Sequence, residues 1–183
     1  MREVLDRDLL WNFRDIAWTC PDILNEGRLY RSSALSRFED TEALRKAIKV
    51  NGIQRIIDLR LPWEIDRHPY RNTETEIVTV PMTICPEKER KIFHGNWPNH
   101  VLLVDNDSEI KRVFTLLSDG IPTAIHCHAG RDRTGIVITL VMLVAGVPLL
   151  YVKKDFLSSK MGLKAMEFER FIEAVNSHGG IEG

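Results

Sequence analysis

The sequence predicts an α/β fold in which a short, mainly parallel sheet is flanked by helices, and three observations point there. Two apolar runs with β-branched residues, Ile53 to Leu59 and Ile121 to Ile125, are each entered from an amphipathic stretch of helical spacing. Strands reached in this way pair in parallel and are covered on both faces, so they read as apolar along their length. The second run leads through a polar loop into an uncharged segment of helix length. Finally, 183 residues with 44% hydrophobic and 28% charged side chains carry enough apolar surface for one core. No repeat, low-complexity tract or Pro/Gly/Ser linker divides them, so residues 1–183 read as a single domain.

Taken in order, Asp40-Thr41-Glu42 opens a helix with Leu44, Ala47 and Ile48 on one face, and Gly52 closes it before the strand at Ile53. Ile77 to Val80 is a further strand, stopped by Pro81. Residues 87–106, with His94, Trp97, Pro98 and His100, show no period and read as a loop or lid. Asp107 and Ser108 cap a helix carrying Ile110, Val113, Phe114 and Leu117, which ends at Gly120 before the strand at Ile121. Ile136 to Val152 holds no charge over 17 residues, the short edge of what spans a bilayer, but Gly146-Val147-Pro148 interrupts it. It reads as a buried core helix, a stop, and a new helix from Pro148. Ala165, Phe168, Phe171, Ile172 and Val175 mark a last amphipathic helix.

Charge and cysteine content exclude several classes. Lys+Arg 25 against Asp+Glu 26 leaves a net charge of −1, which supports neither a basic nucleic-acid footprint nor an acidic tail. Three cysteines, Cys20, Cys85 and Cys127, are an odd number in a chain that needs no staples, so they read as reduced thiols in a cytoplasmic setting. Met1 to Asp8 carries acids where an export signal needs an apolar stretch.

The chemistry is concentrated in His126-Cys127-His128-Ala129-Gly130-Arg131-Asp132-Arg133-Thr134-Gly135, between the Ile121 strand and the core helix. A short loop entering a helix N-terminus points successive backbone N–H groups inward, and the helix dipole adds about half a positive charge there. Such a cradle suits a tetrahedral oxyanion. Gly130 fits a left-handed or closely approached backbone position, and the planar fork of Arg133 matches two phosphate oxygens. Cys127 at the base is placed as an in-line nucleophile, in surroundings that favour a thiolate.

The segment resembles the His-Cys-x5-Arg signature of the protein tyrosine phosphatase superfamily, with a chance expectation on the order of 10⁻⁶ for the specified positions. Asn12-Phe13-Arg14-Asp15, Gly27 to Leu35, Ile56-Ile57-Asp58-Leu59-Arg60 and Tyr151 to Ser159 are similar, in that order, to blocks of the atypical bacterial tyrosine-protein phosphatases. That family's loop usually has Lys where Arg131 stands. The resemblance implies the phosphatase fold, no metal and no cofactor, and phosphotyrosine proteins or phosphorylated inositides as substrates. It implies Cys127, Arg133, Asp132 and Thr134 as catalytic residues, His128, Ala129, Gly130, Arg131, Asp132 and Arg133 as phosphate-loop residues, and His126, Asp58 and Arg60 as supports.

The roles follow the chemistry. Cys127 attacks phosphorus, Arg133 and the loop amides stabilise the equatorial oxygens, and Thr134 eases departure of the thiolate. An acid must protonate the leaving group; Asp132 is the first candidate, as proposed for the atypical family, with Asp105 and Asp107 upstream as alternatives. Arg14 and Arg31 read either as phosphate contacts or as structural ion pairs. His128 and Arg131 make the rim basic, which favours multiply charged head groups. The expected function is therefore tyrosine phosphatase with dual or broader specificity, beside inositide phosphatase and, further off, a phosphate-binding module without turnover. Arsenate reductase would need paired redox cysteines, and Thr134-Gly135 with the flanking blocks argues against a rhodanese. Oligomeric state, and pairing of Cys127 with Cys20 or Cys85, are left open.

Overall fold

A computed structural model of the chain describes residues 10–38, 40–71, 74–83, 106–159, 165–177 and 179–180. Five strands form one sheet: β1 (Arg14–Asp15), β2 (Leu29–Ser32), β3 (Arg55–Asp58), β4 (Glu76–Thr79) and β5 (Thr123–His126), in the order β1-β2-β5-β3-β4. Only β1 pairs antiparallel; β2 and β3 flank β5 in parallel and β4 adds to β3. The expected mainly parallel α/β sheet is present, with β5 at its centre.

Alternate strand residues enter two cores. Tyr30, Ile56 and Ala124 pack with Leu44, Ala47 and Ile48 of α1 (Thr41–Val50) on one face. Leu29, Ile57 and Ile125 face Val137, Ile138 and Met142 of α4 (Asp132–Val144), with Val152 and Phe156 of α5 (Leu149–Leu157) behind them. Between lie α2 (Pro62–Arg67) and α3 (Asp107–Leu117), and α6 (Ala165–Ser177) closes the described chain. Helix α4 is apolar around most of its circumference because Ile136, Val137 and Ile138 are all buried, as a core helix requires. It stops where Gly146 takes φ +73°, so the uncharged run from Ile136 to Val152 becomes two helices. Among the described residues no helix is long and apolar enough to cross a membrane.

Two expectations change. Helix α3 has Asn106, not Asp107 or Ser108, as its N-cap: the Asn106 side chain is turned to the Thr83 backbone, accepting from its N–H at 2.6 Å. Asp107 is the first helical residue and pairs with Lys111 at 2.7 Å on the exposed surface. Periodicity also passed over β1, β2 and α2. The segment read as a loop or lid lies, but for Asn106, outside the described residues, as do Asp105 and Cys85.

Candidate active site

The loop from Cys127 to Arg131 joins the central strand to the core helix, and its carbonyls show how it is shaped. The Cys127 oxygen accepts from His126 Nδ1 (3.1 Å), His128 from the Ala34 N–H (3.0 Å), Ala129 from Asn12 Nδ2 (2.7 Å) and Gly130 from Arg31 Nη2 (2.8 Å). With these carbonyls turned outward, the amides of His128, Ala129, Gly130, Asp132 and Arg133 meet no acceptor among the described residues. Unpaired amides at a helix N-terminus form an anion site. Gly130 is obligatory: it takes φ +67°, and a Cβ there would lie 2.3 Å from the Ser32 carbonyl oxygen of β2. Asn12, at φ +62°, belongs to the residue type that best tolerates that conformation, and its side chain reaches the loop.

Arg133 is buried in the first turn of α4 and held by a fork. Its Nη1 and Nη2 donate to Glu64 Oε2 and Oε1 at 2.7 and 2.8 Å, and Nη1 donates also to the Leu59 carbonyl at 3.1 Å. Glu64 in turn accepts from the Leu61 N–H at 2.9 Å, so the start of α2 is locked to the start of α4. Burial works against both charges. For Arg133 it is outweighed by Glu64 and the field of Cys127, which together hold the guanidinium above its ordinary value. For Glu64 the hydrogen bonds and charge of Arg133 win, and its carboxyl sits below the usual range.

Beneath the loop, Asp58 and Arg60 are fully buried and engaged with each other. Asp58 accepts from the Arg60 backbone N–H and Nε at 3.0 Å and from Nη2 at 2.7 Å. Arg60 also donates to the His68 carbonyl at 3.1 Å. Burial pushes the Asp58 carboxyl up, but His126 and Arg60 carry it lower overall. Asp58 ends β3 opposite His126 of β5, whose Nδ1 lies 3.7 Å from its Oδ1. His126, wholly buried, is kept neutral chiefly by burial. One tautomer satisfies its contacts: Nδ1–H donates to the Cys127 carbonyl, and Nε2 accepts from the Tyr70 hydroxyl.

A second buried knot secures β2. Asp155 of α5 accepts from Arg14 Nε at 2.7 Å and pairs with Arg31, and Arg31 Nη2 reaches Ser159 Oγ at 3.0 Å as well as the Gly130 carbonyl. Burial raises the Asp155 carboxyl, yet Arg31 and Arg14 bring it below its ordinary value. Both arginines are therefore structural, which decides between the two readings left open above. Cys20 is also buried; burial, then Asp155 and Asp15, push its thiol up, away from the reactive form.

At the mouth, Arg131 Nε donates to both oxygens of Asp132, at 3.1 and 3.2 Å, and the two side chains are 20% and 27% exposed. His128 accepts from Arg37 Nη1 at 3.2 Å through Nε2; burial, then Arg37, lowers its proton affinity. The rim is less basic than the residues alone suggest: Arg131 is matched by Asp132, and His128 is held toward neutrality. The Thr134 hydroxyl is buried with no partner among the described residues.

With this geometry in view, comparison with known proteins is decisive. The sequence matches the tyrosine phosphatase family over residues 5–179. The chain belongs to that family. The triple specificity protein phosphatase PtpB of Mycobacterium tuberculosis is 31% identical over 81% of this chain, and a tyrosine-protein phosphatase of Nostoc commune 30% over 64%. This chain spans 66% and 43% of their respective lengths, less than two thirds of either. Among solved structures, TpbA of P. aeruginosa matches with a TM-score of 0.52 at 13% identity, over 83% of this chain and 81% of that one. A human tyrosine phosphatase-like serine/threonine/tyrosine-interacting protein matches at 0.51 and 13%, over 87% and 97%. At such identities these two show the shared fold.

For this tyrosine phosphatase family member, the site residues expected from sequence converge on one loop and the strand end beside it. Sequence reasoning missed Glu64 and Tyr70, and it placed Asn12 and Asp155 in matching blocks without giving either a role. Pro62 at a helix start followed two residues later by Glu64 was a readable N-terminal signal, and it would have placed a carboxylate near the end of β3. Nothing local in the sequence tied Asp155 to Arg31, 124 positions away.

Proposed function

We propose that the chain is a cysteine-dependent phosphomonoester hydrolase acting on phosphotyrosine proteins, with dual or broader specificity. One observation carries this reading: between Cys127 and Arg133 the loop gives its carbonyls to partners outside it and leaves the amides of His128, Ala129, Gly130, Asp132 and Arg133 without an acceptor among the described residues. A phosphoryl group seated there accepts hydrogen bonds from the amides and Arg133. The Cys127 sulfur forms a bond to phosphorus as the bond to the ester oxygen breaks, and Asp132 gives that oxygen its proton. Water then attacks phosphorus, Asp132 takes a proton from it, and the phosphorus–sulfur bond breaks. The Thr134 hydroxyl, which has no other partner among the described residues, donates to the departing thiolate. Arg133, fixed by Glu64, keeps its planar fork aligned through both steps.

The relatives named above are called tyrosine-protein and triple-specificity protein phosphatases, which supports protein substrates. In the resting site the hydrogen bonds from Arg131 to Asp132 and the lowered proton affinity of His128 reduce the rim charge that favoured inositide head groups. The test is phosphate release, without added metal, by wild type and Cys127→Ser from a phosphotyrosine peptide, a phosphoserine peptide and phosphoinositide vesicles. Release from the phosphotyrosine peptide that Cys127→Ser abolishes is the expected result. No release from any substrate, with phosphate still bound, would leave a binding module. For Asp132→Asn, a loss that grows with the basicity of the leaving group is expected; equal losses across leaving groups would remove Asp132 as the acid.

A further inference from the structure

Beside the mouth of the cradle runs a groove of about 460 Å³, walled by Ser36–Phe38 on one side and by Arg67, His68, Pro69 and Arg71 on the other. Its connection to the site is direct. Arg37 lies against the His128 ring, and the His68 ring sits 6.3 Å from it, centre to centre. His128 is the residue after the nucleophile. The far wall is anchored by the Arg60 hydrogen bond to the His68 carbonyl, and so through Asp58 to the end of β3.

The groove's charge has no match among the described residues. Among the described residues no carboxylate lies within ion-pair distance of Arg37, Arg67 or Arg71; Arg67 rests on the Trp63 ring instead. Elsewhere in this chain the buried arginines are matched: Arg31 to Asp155, Arg55 to Glu76 and Asp119, Arg60 to Asp58, Arg133 to Glu64. Three guanidinium groups sharing one groove, each shaped for bidentate oxyanion contact, are a receptor for negative charge.

We propose that this groove is a second anion subsite that selects phosphotyrosine peptides carrying another phosphorylated residue close by. The assignment rests on the phosphatase reading above and adds a substrate class to it. A peptide is favoured over an inositide because the groove runs outward from His128, while Arg131 at the mouth is already paired with Asp132. Peptide residues advance roughly 3.3–3.6 Å each, which places a second phosphate beyond the rim, whereas an inositol ring keeps its phosphates close together.

The test compares kcat/KM for a phosphotyrosine peptide with neutral flanks and for the same peptide with phosphothreonine two residues to either side. A small aryl phosphate, too short to reach the groove, serves as the reference. Wild type is expected to prefer one doubly phosphorylated peptide by about tenfold, mainly through KM, with the preference shrinking at high salt. In Arg67→Gln/Arg71→Gln, both exposed positions, the preference over the reference should fall to about one, and Arg71→Gln alone should give an intermediate value. Wild type turning over all peptides at equal kcat/KM would overturn the subsite while leaving the phosphatase reading intact, and so would an undiminished preference in the double variant. If no substrate is turned over, the phosphatase reading fails on its own. The subsite is then decided by binding of the two peptides to Cys127→Ser: tighter binding of the doubly phosphorylated one supports it, equal binding overturns it. A loss in the double variant confined to phosphoinositide vesicles would overturn the peptide assignment in favour of a lipid head group.

Discussion

On the outer side of the loop between β5 and α4, Asn12, Arg31, His126 and the Ala34 amide each hold a loop carbonyl, and Asp155 and Asp58 hold the arginines behind them. On its inner side, the amides of His128, Ala129, Gly130, Asp132 and Arg133 and the Thr134 hydroxyl have no partner among the described residues. An unpaired buried polar group costs about 1–3 kcal/mol, so folding alone would not favour the inner arrangement. The outer side is built for stability and offsets the cost of the inner side, which in the proposed reaction receives the anion. Substitutions outside should therefore lower stability, and those inside should lower turnover with little effect on stability.

Asp155→Ala should have the largest effect. It would strand Arg14 and Arg31 without their carboxylate, and breaking a buried pair in this way costs about 3–5 kcal/mol. Denaturant unfolding of the purified variant measures this; a loss below about 1 kcal/mol would show that the knot is not what holds β2 against the loop. Gly130→Ala stands on the boundary between the two sides. Its Cβ would meet the Ser32 carbonyl at 2.3 Å in a left-handed backbone. A stability loss of about 2–3 kcal/mol together with loss of turnover is expected. Turnover lost at full stability would mean that β2 yields to the intruding methyl.

The loop, its Cys127 and Arg133, α1 with its Asp40 cap, and β3 and β5 were legible because each depends on residues close in sequence. Asp40 accepts from the Glu42 and Ala43 amides at 3.0 Å, as the pattern indicated. β2 was not legible as a strand because Arg31, buried with no exposed surface, makes an inner strand look polar until Asp155 is placed beside it. Glu64 escaped for the same reason: its partner is 69 residues away, and its burial depends on that partner. Asp132 was legible as a member of the loop and, standing next to Arg131, as a carboxylate for that side chain to pair with, which is what the structure shows. Asp107 was legible as a helix start, yet the cap fell to Asn106 because the Asn106 side chain ties α3 to Thr83.

Glu64→Gln tests whether the two sides can be separated at Arg133. Removing the carboxylate weakens the fork that aligns the guanidinium, so a fall in kcat of about 10²-fold is expected, with a stability loss of about 1–3 kcal/mol. The variant should also change the acid limb of stability. Glu64, Asp58 and Asp155 all have carboxyls held below their ordinary range, so their contributions are present above about pH 4 and are lost as pH falls through the folded values. His126, kept neutral, adds a loss that begins below about pH 6.5, where the unfolded chain takes up a proton that the buried ring resists. Unfolding free energy measured from pH 7 to pH 3 should fall throughout for wild type and less steeply below pH 4 for Glu64→Gln. Parallel curves would mean that the Glu64–Arg133 pair carries no linkage.

Thr134→Val should change stability least and so separates the two sides most sharply. Valine matches threonine in shape, and the hydroxyl it removes is buried without a hydrogen bond among the described residues, so stability should stay within about 0.5 kcal/mol or rise. In the proposed reaction the hydroxyl acts at the second step, where the thiolate leaves phosphorus. The variant should therefore form the phosphocysteine at the wild-type rate and hydrolyse it more slowly. Rapid mixing with an aryl phosphate would show this as a burst of phenol equal to the enzyme concentration, followed by a slow steady state. A variant that loses stability but shows no burst would place Thr134 with the outer residues, its hydroxyl serving the fold rather than the departing sulfur.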